Sequence, residues 1–351
     1  MEKWEENVRR VVPYTPGEQP DFADMIKLNT NENPYPPAPK AAAAMHAMQA
    51  EQMRLYPAPG ADALTEGLAK YYGLEKEQVF VGVGSDDVLA MAFLTFFNSQ
   101  KPVLFPDITY SFYDVWADLF RIPYECQPLD EQFKIRREDY FRENGGIVFP
   151  NPNAPTGEEL ALSDVEEIIA HNRDVVVIVD EAYVDFGAKS AIGLIEKYEN
   201  LLVVQTFSKS RSLAGLRIGY AFGSSKLIKY LNDAKYSFNS YTMNRPSLIM
   251  GAAVLEEDDY FRDTVGKIIA TRERTKKELA KLGFVFGDSK ANFLFVTHPE
   301  YQAKELFEAL RRKHIFVRYF AKPRISNYLR ITIGTDEQMD ALTGFLKEYI
   351  N

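Results

Sequence analysis

The sequence predicts an α/β protein: a large domain on a mostly parallel sheet flanked by helices, followed by a smaller α+β domain. Three observations carry that expectation. Short runs such as Val79-Phe80-Val81, Val103-Leu104-Phe105 and Ile147-Val148-Phe149 alternate with amphipathic stretches. Apolar runs without polar alternation are how strands buried on both faces read, and helices between them imply parallel pairing. After about residue 250 the texture changes to a long charged helix and new strand candidates, and 351 residues suit two domains.

In chain order, residues 1–35 are proline-rich without a sustained period and form an expected N-terminal arm; Pro13-Tyr14-Thr15-Pro16-Gly17 in it is loop chemistry. Residues 40–53 are Ala- and Met-rich and predict one helix, broken by Tyr56-Pro57-Ala58-Pro59-Gly60. The large domain is expected over 36–250, with strands at 79–81, 103–105, 147–149, 175–179 and 201–206. Helices are expected at 87–97, 112–120 and 163–172, the last opened by a Ser163-Asp164-Val165-Glu166 capping box. The small domain, 251–351, carries a helix at 258–281 that stops at Gly283, then strands at 292–296, 315–320 and 328–333. A helix at 302–313 separates them, and a last one covers 337–349.

Composition removes several function classes. Lys plus Arg number 41 against 50 Asp plus Glu, a net charge of −9, so no basic stripe offers itself to nucleic acid or an anionic membrane. The single cysteine, Cys126, allows no intramolecular disulfide, and His46, His171, His298 and His314 are scattered without metal-ligand spacing. The N-terminus lacks the basic-then-apolar order of a secretory signal. The longest apolar run, 88–97, is far short of the roughly 20 residues that span a bilayer. A soluble, cytoplasmic protein without a metal is expected.

Ligands of open parallel sheets sit beyond the carboxyl ends of the strands, and four strand ends are informative. Gly84-Ser85-Asp86-Asp87 leads into a helix whose free N–H groups suit an anion, although Ser85 or Asp86 serves equally as a helix cap. Asp180-Glu181-Ala182-Tyr183 puts an acid at the end of a buried strand, where it needs a partner. Ser208-Lys209-Ser210-Arg211 puts a lysine there, the residue type that forms Schiff bases, with Arg217 eight residues on. Pro150-Asn151-Pro152-Asn153-Ala154-Pro155-Thr156-Gly157 is a stiff turn able to hold polar groups over a ligand.

Together, in this order, the four segments resemble the fold type I family of pyridoxal-phosphate-dependent transferases, over nearly the whole chain. The resemblance implies pyridoxal 5′-phosphate as cofactor, Lys209 as its covalent carrier and Asp180 as the acid at its ring nitrogen. It implies Tyr183 at the 3-oxygen, Tyr110 stacked on the ring, and Ser85, Asp86, Ser208 and Arg217 around the phosphate. Arg330, in Tyr328-Leu329-Arg330-Ile331, matches the arginine that clamps a substrate anion.

Pro13-Tyr14-Thr15-Pro16-Gly17, Leu28-Asn29-Thr30-Asn31-Glu32-Asn33-Pro34, Arg54-Leu55-Tyr56-Pro57 and Val317-Arg318-Tyr319-Phe320 are similar to the histidinol-phosphate aminotransferase subgroup. That likeness implies histidinol phosphate and glutamate or 2-oxoglutarate as substrates. It places Tyr14, Asn31 and Arg318 beside the substrate with Arg330, and makes the protein a homodimer in which Tyr56 reaches the neighbour's cofactor phosphate. Packing beside prolines is the plainer role for Tyr14 and Tyr56, as solvation is for Arg318.

Two departures stand out. The family's Asn before Pro-Thr-Gly is Ala154 here, leaving the 3-oxygen to Asn153 or to Tyr183 alone, and Arg211 either adds positive potential near the phosphate or faces solvent. A broad aromatic aminotransferase or a threonine-phosphate decarboxylase would share the cofactor residues; a non-catalytic module on this scaffold would not need Lys209, Asp180 and Arg217 together.

Overall fold

Two sheets organise the computed structural model, which describes residues 3–21 and 24–350. The strands are β1 (Ile26–Lys27), β2 (Val79–Gly82), β3 (Val103–Pro106), β4 (Tyr124–Gln127), β5 (Gly146–Pro150), β6 (Val177–Asp180) and β7 (Leu201–Thr206). Then come β8 (Gly219–Gly223), β9 (Val285–Phe286), β10 (Phe293–Thr297), β11 (Ile315–Phe316), β12 (Arg318–Tyr319) and β13 (Leu329–Thr332). The helices are α1 (Pro39–His46), α2 (Asp62–Tyr72), α3 (Gly84–Phe96), α4 (Tyr113–Phe120), α5 (Leu162–His171) and α6 (Ser225–Phe238). α7 (Arg245–Val254), α8 (Asp258–Lys281), α9 (Ala303–Arg312) and α10 (Asp336–Ile350) complete the set.

The large sheet runs β2-β8-β7-β6-β5-β3-β4. Pairing is parallel from β7 through β4, while β8 is antiparallel to both of its neighbours. β2 therefore runs the same way as β7, and the carboxyl ends of β2, β3, β4, β5, β6 and β7 open on one edge. Side chains alternate between the faces, and both faces are apolar. Val79, Val81, Val177, Val179, Leu201 and Val203 pack with Leu64, Leu68 and Ile168 on one side. Phe80, Ile178, Leu202 and Val204 pack with Leu89, Phe93 and Trp116 on the other. Each such side chain contributes about 1.5–3 kcal/mol on burial, which is why these strands carry no polar alternation.

The second sheet, β12-β13-β10-β9, is antiparallel throughout, and Ile268, Leu306, Leu310, Leu342 and Leu346 bury against it. The arm is not wholly loop, because β1 pairs in parallel with β11.

Three sequence expectations change. The single helix over 40–53 is α1 followed by a 3₁₀ turn, Ala50–Arg54; only Ala41 of α1 is buried, so no apolar stripe sustains a longer helix. The capping box at Ser163 does not form. The N–H groups of Asp164 and Val165 donate to Ala161, which starts α5 earlier. Asp164 is drawn to Arg137 and Glu166 to Lys197 and Tyr198 instead. The strand at 315–320 splits at Val317, β11 joining β1 and β12 joining β13. Among the described residues no helix is long and apolar enough to cross a membrane.

Candidate active site

The open edge of the large sheet forms a cavity lined by Ser85, Asp86, Tyr110, Ala154, Asp180, Tyr183, Ser208, Lys209 and Arg217. Asp180 ends β6, buried, its Oδ2 accepting from the Tyr113 hydroxyl at 2.9 Å and its Oδ1 from the Ala182 N–H at 3.2 Å. Burial raises its pKa to about 6 despite those two bonds. A carboxylate in that condition is favoured by a cation placed opposite it. Its neighbour Glu181 points to the other face, where Ser190, Ala191 and Gln205 donate to it, and burial raises it to about 7. Of the two adjacent acids, only Asp180 faces the cavity.

Lys209 lies three residues past the end of β7, half-buried, with Nζ 3.1 Å from the Thr30 carbonyl and 5.7 Å from the centre of the Tyr183 ring. An amine so placed is open to a carbonyl ligand from the cavity side.

The anion cradle is built from glycines and a helix end. The first turn of α3 presents backbone N–H groups at Ser85 and Asp86 without helical carbonyl partners. Gly219, opening β8, lies so close that a Cβ there would fall 2.1 Å from the Gly84 carbonyl carbon and 2.2 Å from the Ser85 nitrogen. Gly84 has φ +84, and its own Cβ would meet the Arg217 guanidinium at 2.5 Å. Arg217 pairs with Asp86 at 3.0 Å and donates to the Ser208 hydroxyl at 3.3 Å. Tyr110 donates to the other Asp86 oxygen at 2.6 Å, which holds its ring over the cavity. A planar ligand with a basic ring nitrogen near Asp180, a carbonyl near Lys209 and a phosphate at α3 matches these donors and acceptors.

The opposite wall comes from the arm and the small sheet. Arg330 of β13 donates to the Asn29 carbonyl at 3.0 Å, sits 5.4 Å and 5.7 Å from the rings of Phe293 and Phe320, and keeps a buried Nε without a partner. Burial and the neighbouring Arg318 cation both disfavour its charge, so an anion there is welcome. Arg318 is its register partner across β12 and β13 and donates to the Thr15 carbonyl at 3.2 Å. Tyr14 stacks on Phe112 at 4.2 Å and lines the cleft with Arg318. Asn31 is buried and donates to the Tyr183 hydroxyl at 2.9 Å.

Two residues expected to serve the ligand, Asn153 and Tyr56, do not line the cavity of their own chain, and for Tyr56 the expected site is a neighbour's. The Asn153 amide is committed to the frame of the site: it donates to Thr156 in its own loop and to the Ile108 carbonyl in the loop after β3, and accepts from Thr109 there, while Ala154 lines the cavity. Tyr56 is 79% exposed on the surface, packed against Tyr241. Arg211 does neither of the things expected of it. It is 4% exposed, its guanidinium over Phe261 and Tyr71 at 4.0 and 4.8 Å, so it faces neither solvent nor the cavity. Tyr113, which supports Asp180, went unnoticed in the sequence; its signal was a second tyrosine one helical turn after Tyr110. Among the described residues no group of three or more His, Cys, Asp or Glu is placed to hold a metal.

Comparison with known proteins agrees with this geometry. The family model described as aminotransferase class I and II matches residues 23–346. The histidinol-phosphate aminotransferase of Lactococcus lactis subsp. cremoris (strain MG1363) is 52% identical over 99% of this chain and 98% of its own. That of Clostridium acetobutylicum is 50% identical over 99% of both chains. Among solved structures, the Sinorhizobium meliloti histidinol-phosphate aminotransferase in complex with pyridoxal-5′-phosphate aligns with a TM-score of 0.84 at 23% identity, covering 92% of this chain and 90% of that one. At that identity the likeness speaks for the fold.

Proposed function

The chain belongs to the class I and II aminotransferases, and on that footing we propose that it transfers the amino group of L-histidinol phosphate to 2-oxoglutarate, giving imidazole-acetol phosphate and L-glutamate, as a step of histidine biosynthesis. The observation that carries the reading is the meeting of Lys209, Asp180 and the α3–Arg217 cradle in one cavity, faced by an arginine with a buried, unpartnered donor. The names of relatives half identical over the full chain support the substrate.

The residues present fit pyridoxal 5′-phosphate: the buried Asp180 would face its ring nitrogen, and the glycine-lined start of α3 beside Arg217 would take its phosphate. When bound, that cofactor supplies a carbonyl for the amino group and a cationic ring that withdraws electrons from the substrate carbon. The work of the chain is then divided. Asp180, steadied by Tyr113, would keep the ring nitrogen protonated. Ser85, Asp86, Ser208 and Arg217 would hold the phosphate, through backbone N–H groups at the first two. Tyr110 would lie against the ring and Tyr183 would donate to its 3-oxygen. Lys209 Nζ would anchor the cofactor and, when free, would take up the proton of the substrate carbon as general base.

Arg330 accepts the phosphate of one substrate and a carboxylate of the other, with Arg318 balancing the greater charge. Residues 36–250 thus serve the cofactor, 251–351 the substrate anion, and the arm 1–35 covers both, Tyr14 lying at the entrance. Asn153 serves by tying its loop to the one after β3.

A homodimer belongs to the same proposal. Tyr56 is accompanied by exposed Met53, Leu55, Phe238 and Tyr241, an apolar surface suited to a second copy that would receive Tyr56 at its phosphate. A cytoplasmic location follows from the biosynthetic role. The test is a rate comparison. Imidazole-acetol phosphate should be preferred to phenylpyruvate as amino acceptor from glutamate; preference for phenylpyruvate would favour an aromatic aminotransferase, and carbon dioxide release a decarboxylase.

A further inference from the structure

Resting on that reading, we propose that Asn31 is a positioning residue: it holds the Tyr183 phenol as a hydrogen-bond acceptor, so that the phenol's own proton faces the cofactor's 3-oxygen, and it thereby offsets the amide missing at Ala154.

A tyrosine hydroxyl has one proton to give. Asn31 Nδ2 donates to the Tyr183 oxygen at 2.9 Å, which leaves that proton for an acceptor on the cavity side. The Asn31 amide is held in this orientation from its other side. Its Oδ1 accepts from the Thr332 hydroxyl at 3.0 Å, and the same hydroxyl accepts from the Asn31 backbone N–H at 3.0 Å. The Asn292 amide donates to the Asn31 carbonyl at 3.0 Å, closing the frame.

Asn31 is 1% exposed with φ +58, a left-handed conformation that Asn tolerates better than most residues. The Tyr183 ring is fixed edge-on against Phe293, with centroids 5.0 Å apart. Donation into the phenol oxygen polarises the O–H and strengthens it as a donor in turn. With Ala154 on the cavity wall and the Asn153 amide spent on Ile108 and Thr156, this chain supplies the side-chain donor to the 3-oxygen through Tyr183.

The inference also links the two walls. Thr332 and Asn292 belong to the small-sheet side, so the phenol is oriented only while that side is docked on the arm.

A donor to the 3-oxygen stabilises its anionic form and lowers the pH at which the bound chromophore loses its proton. Lys209, Asp180, Tyr110 and Arg330 face the same space, and the substitutions below change none of them. Asn31→Gly keeps the left-handed backbone and removes the donor. The experiment titrates the visible absorbance of the holoenzyme with pH and measures the pyridoxal 5′-phosphate dissociation constant by dialysis.

Tyr183→Phe should raise the midpoint by roughly one pH unit and Asn31→Gly by part of that. Asn31→Gly should add nothing in the Tyr183→Phe background, because Asn31 acts through the phenol. Ala154→Asn should lower the midpoint of the Asn31→Gly enzyme again. An unmoved midpoint in Asn31→Gly, or an equal shift with and without the Tyr183 hydroxyl, would overturn the inference while the cofactor reading stands. Wild-type protein that binds no pyridoxal 5′-phosphate would bring down both.

Discussion

The two walls of the active-site cavity are assembled in opposite ways. On the large-sheet side each group lies at a strand end or within a few residues of one, and its support comes from the same sheet edge: Thr206 bonds Ser208 two residues on, and Tyr113, at the start of α4, bonds Asp180 across 67 residues. On the other side the bonds run between residues about 300 apart in sequence, Arg330 to Asn29 and Thr332 to Asn31. The first wall is a product of sheet topology, which sends six carboxyl ends to one edge. The second exists only when the arm is threaded between the sheets. Reaction chemistry therefore rests on the local wall and substrate grip on the long-range one, and substitutions should separate the two kinetically.

The largest effect is expected at the local wall. Lys209→Ala should lower kcat by about 10⁴-fold or more, since it removes both the cofactor's anchor and the proton carrier; single-turnover rates with added cofactor check it. Asp180→Asn should follow, with a loss of about 10²–10³-fold in kcat.

The same variant makes a stability prediction of opposite sign. Burial holds Asp180 at about 6, above its ordinary 3.8, so between those values the folded chain keeps a proton that the unfolded chain gives up. Its contribution to stability therefore falls as pH rises from about 4 to about 6. Cofactor-free Asp180→Asn should be more stable than wild type near neutral pH by about 1–3 kcal/mol and no more stable near pH 4. Thermal melts at the two pH values read this directly.

At the long-range wall the expected signature is in KM. Arg330→Ala should raise KM for histidinol phosphate and for glutamate by about 10²-fold, since each anion loses a buried charged partner, and Arg318→Ala by roughly tenfold, more for the phosphate substrate. An unchanged KM for either substrate in Arg330→Ala would break the shared-anchor account.

The smallest effect is expected between subunits. Tyr56→Phe should weaken cofactor binding several-fold, about the worth of one hydrogen bond to a charged group. Mixing Tyr56→Phe with Lys209→Ala chains should restore wild-type affinity at one site per hybrid dimer. A site completed within one subunit would show no such rescue.

How much the sequence disclosed follows the same division. The buried strands were legible because both faces of the sheet are covered, so β2, β3, β5 and β7 stand out as apolar runs. β4 was not, since three of its four residues are exposed and Tyr124-Glu125-Cys126-Gln127 lacks an apolar run. β8 was hidden by its glycines, one of which is required by the approach to Ser85. In the site, Lys209, Asp180 and the α3 turn were legible as charged or glycine-rich breaks directly after strands. Arg330 and Tyr14 could be named only through resemblance, because nothing local reports that residues 14, 29 and 330 meet. The bond from Asn31 to Tyr183 was beyond reach for that reason, and the burial of Arg211 because its aromatic neighbours come from three separate segments.

The central claim is that one cavity carries both half-reactions on Lys209, and absorbance spectroscopy of the purified protein tests it most directly. With pyridoxal 5′-phosphate bound, addition of L-histidinol phosphate should bleach the visible band, and 2-oxoglutarate should bring it back, with Lys209→Ala failing at both. A visible band indifferent to histidinol phosphate would contradict the substrate. A protein that acquires no visible band with pyridoxal 5′-phosphate would contradict the account at its root.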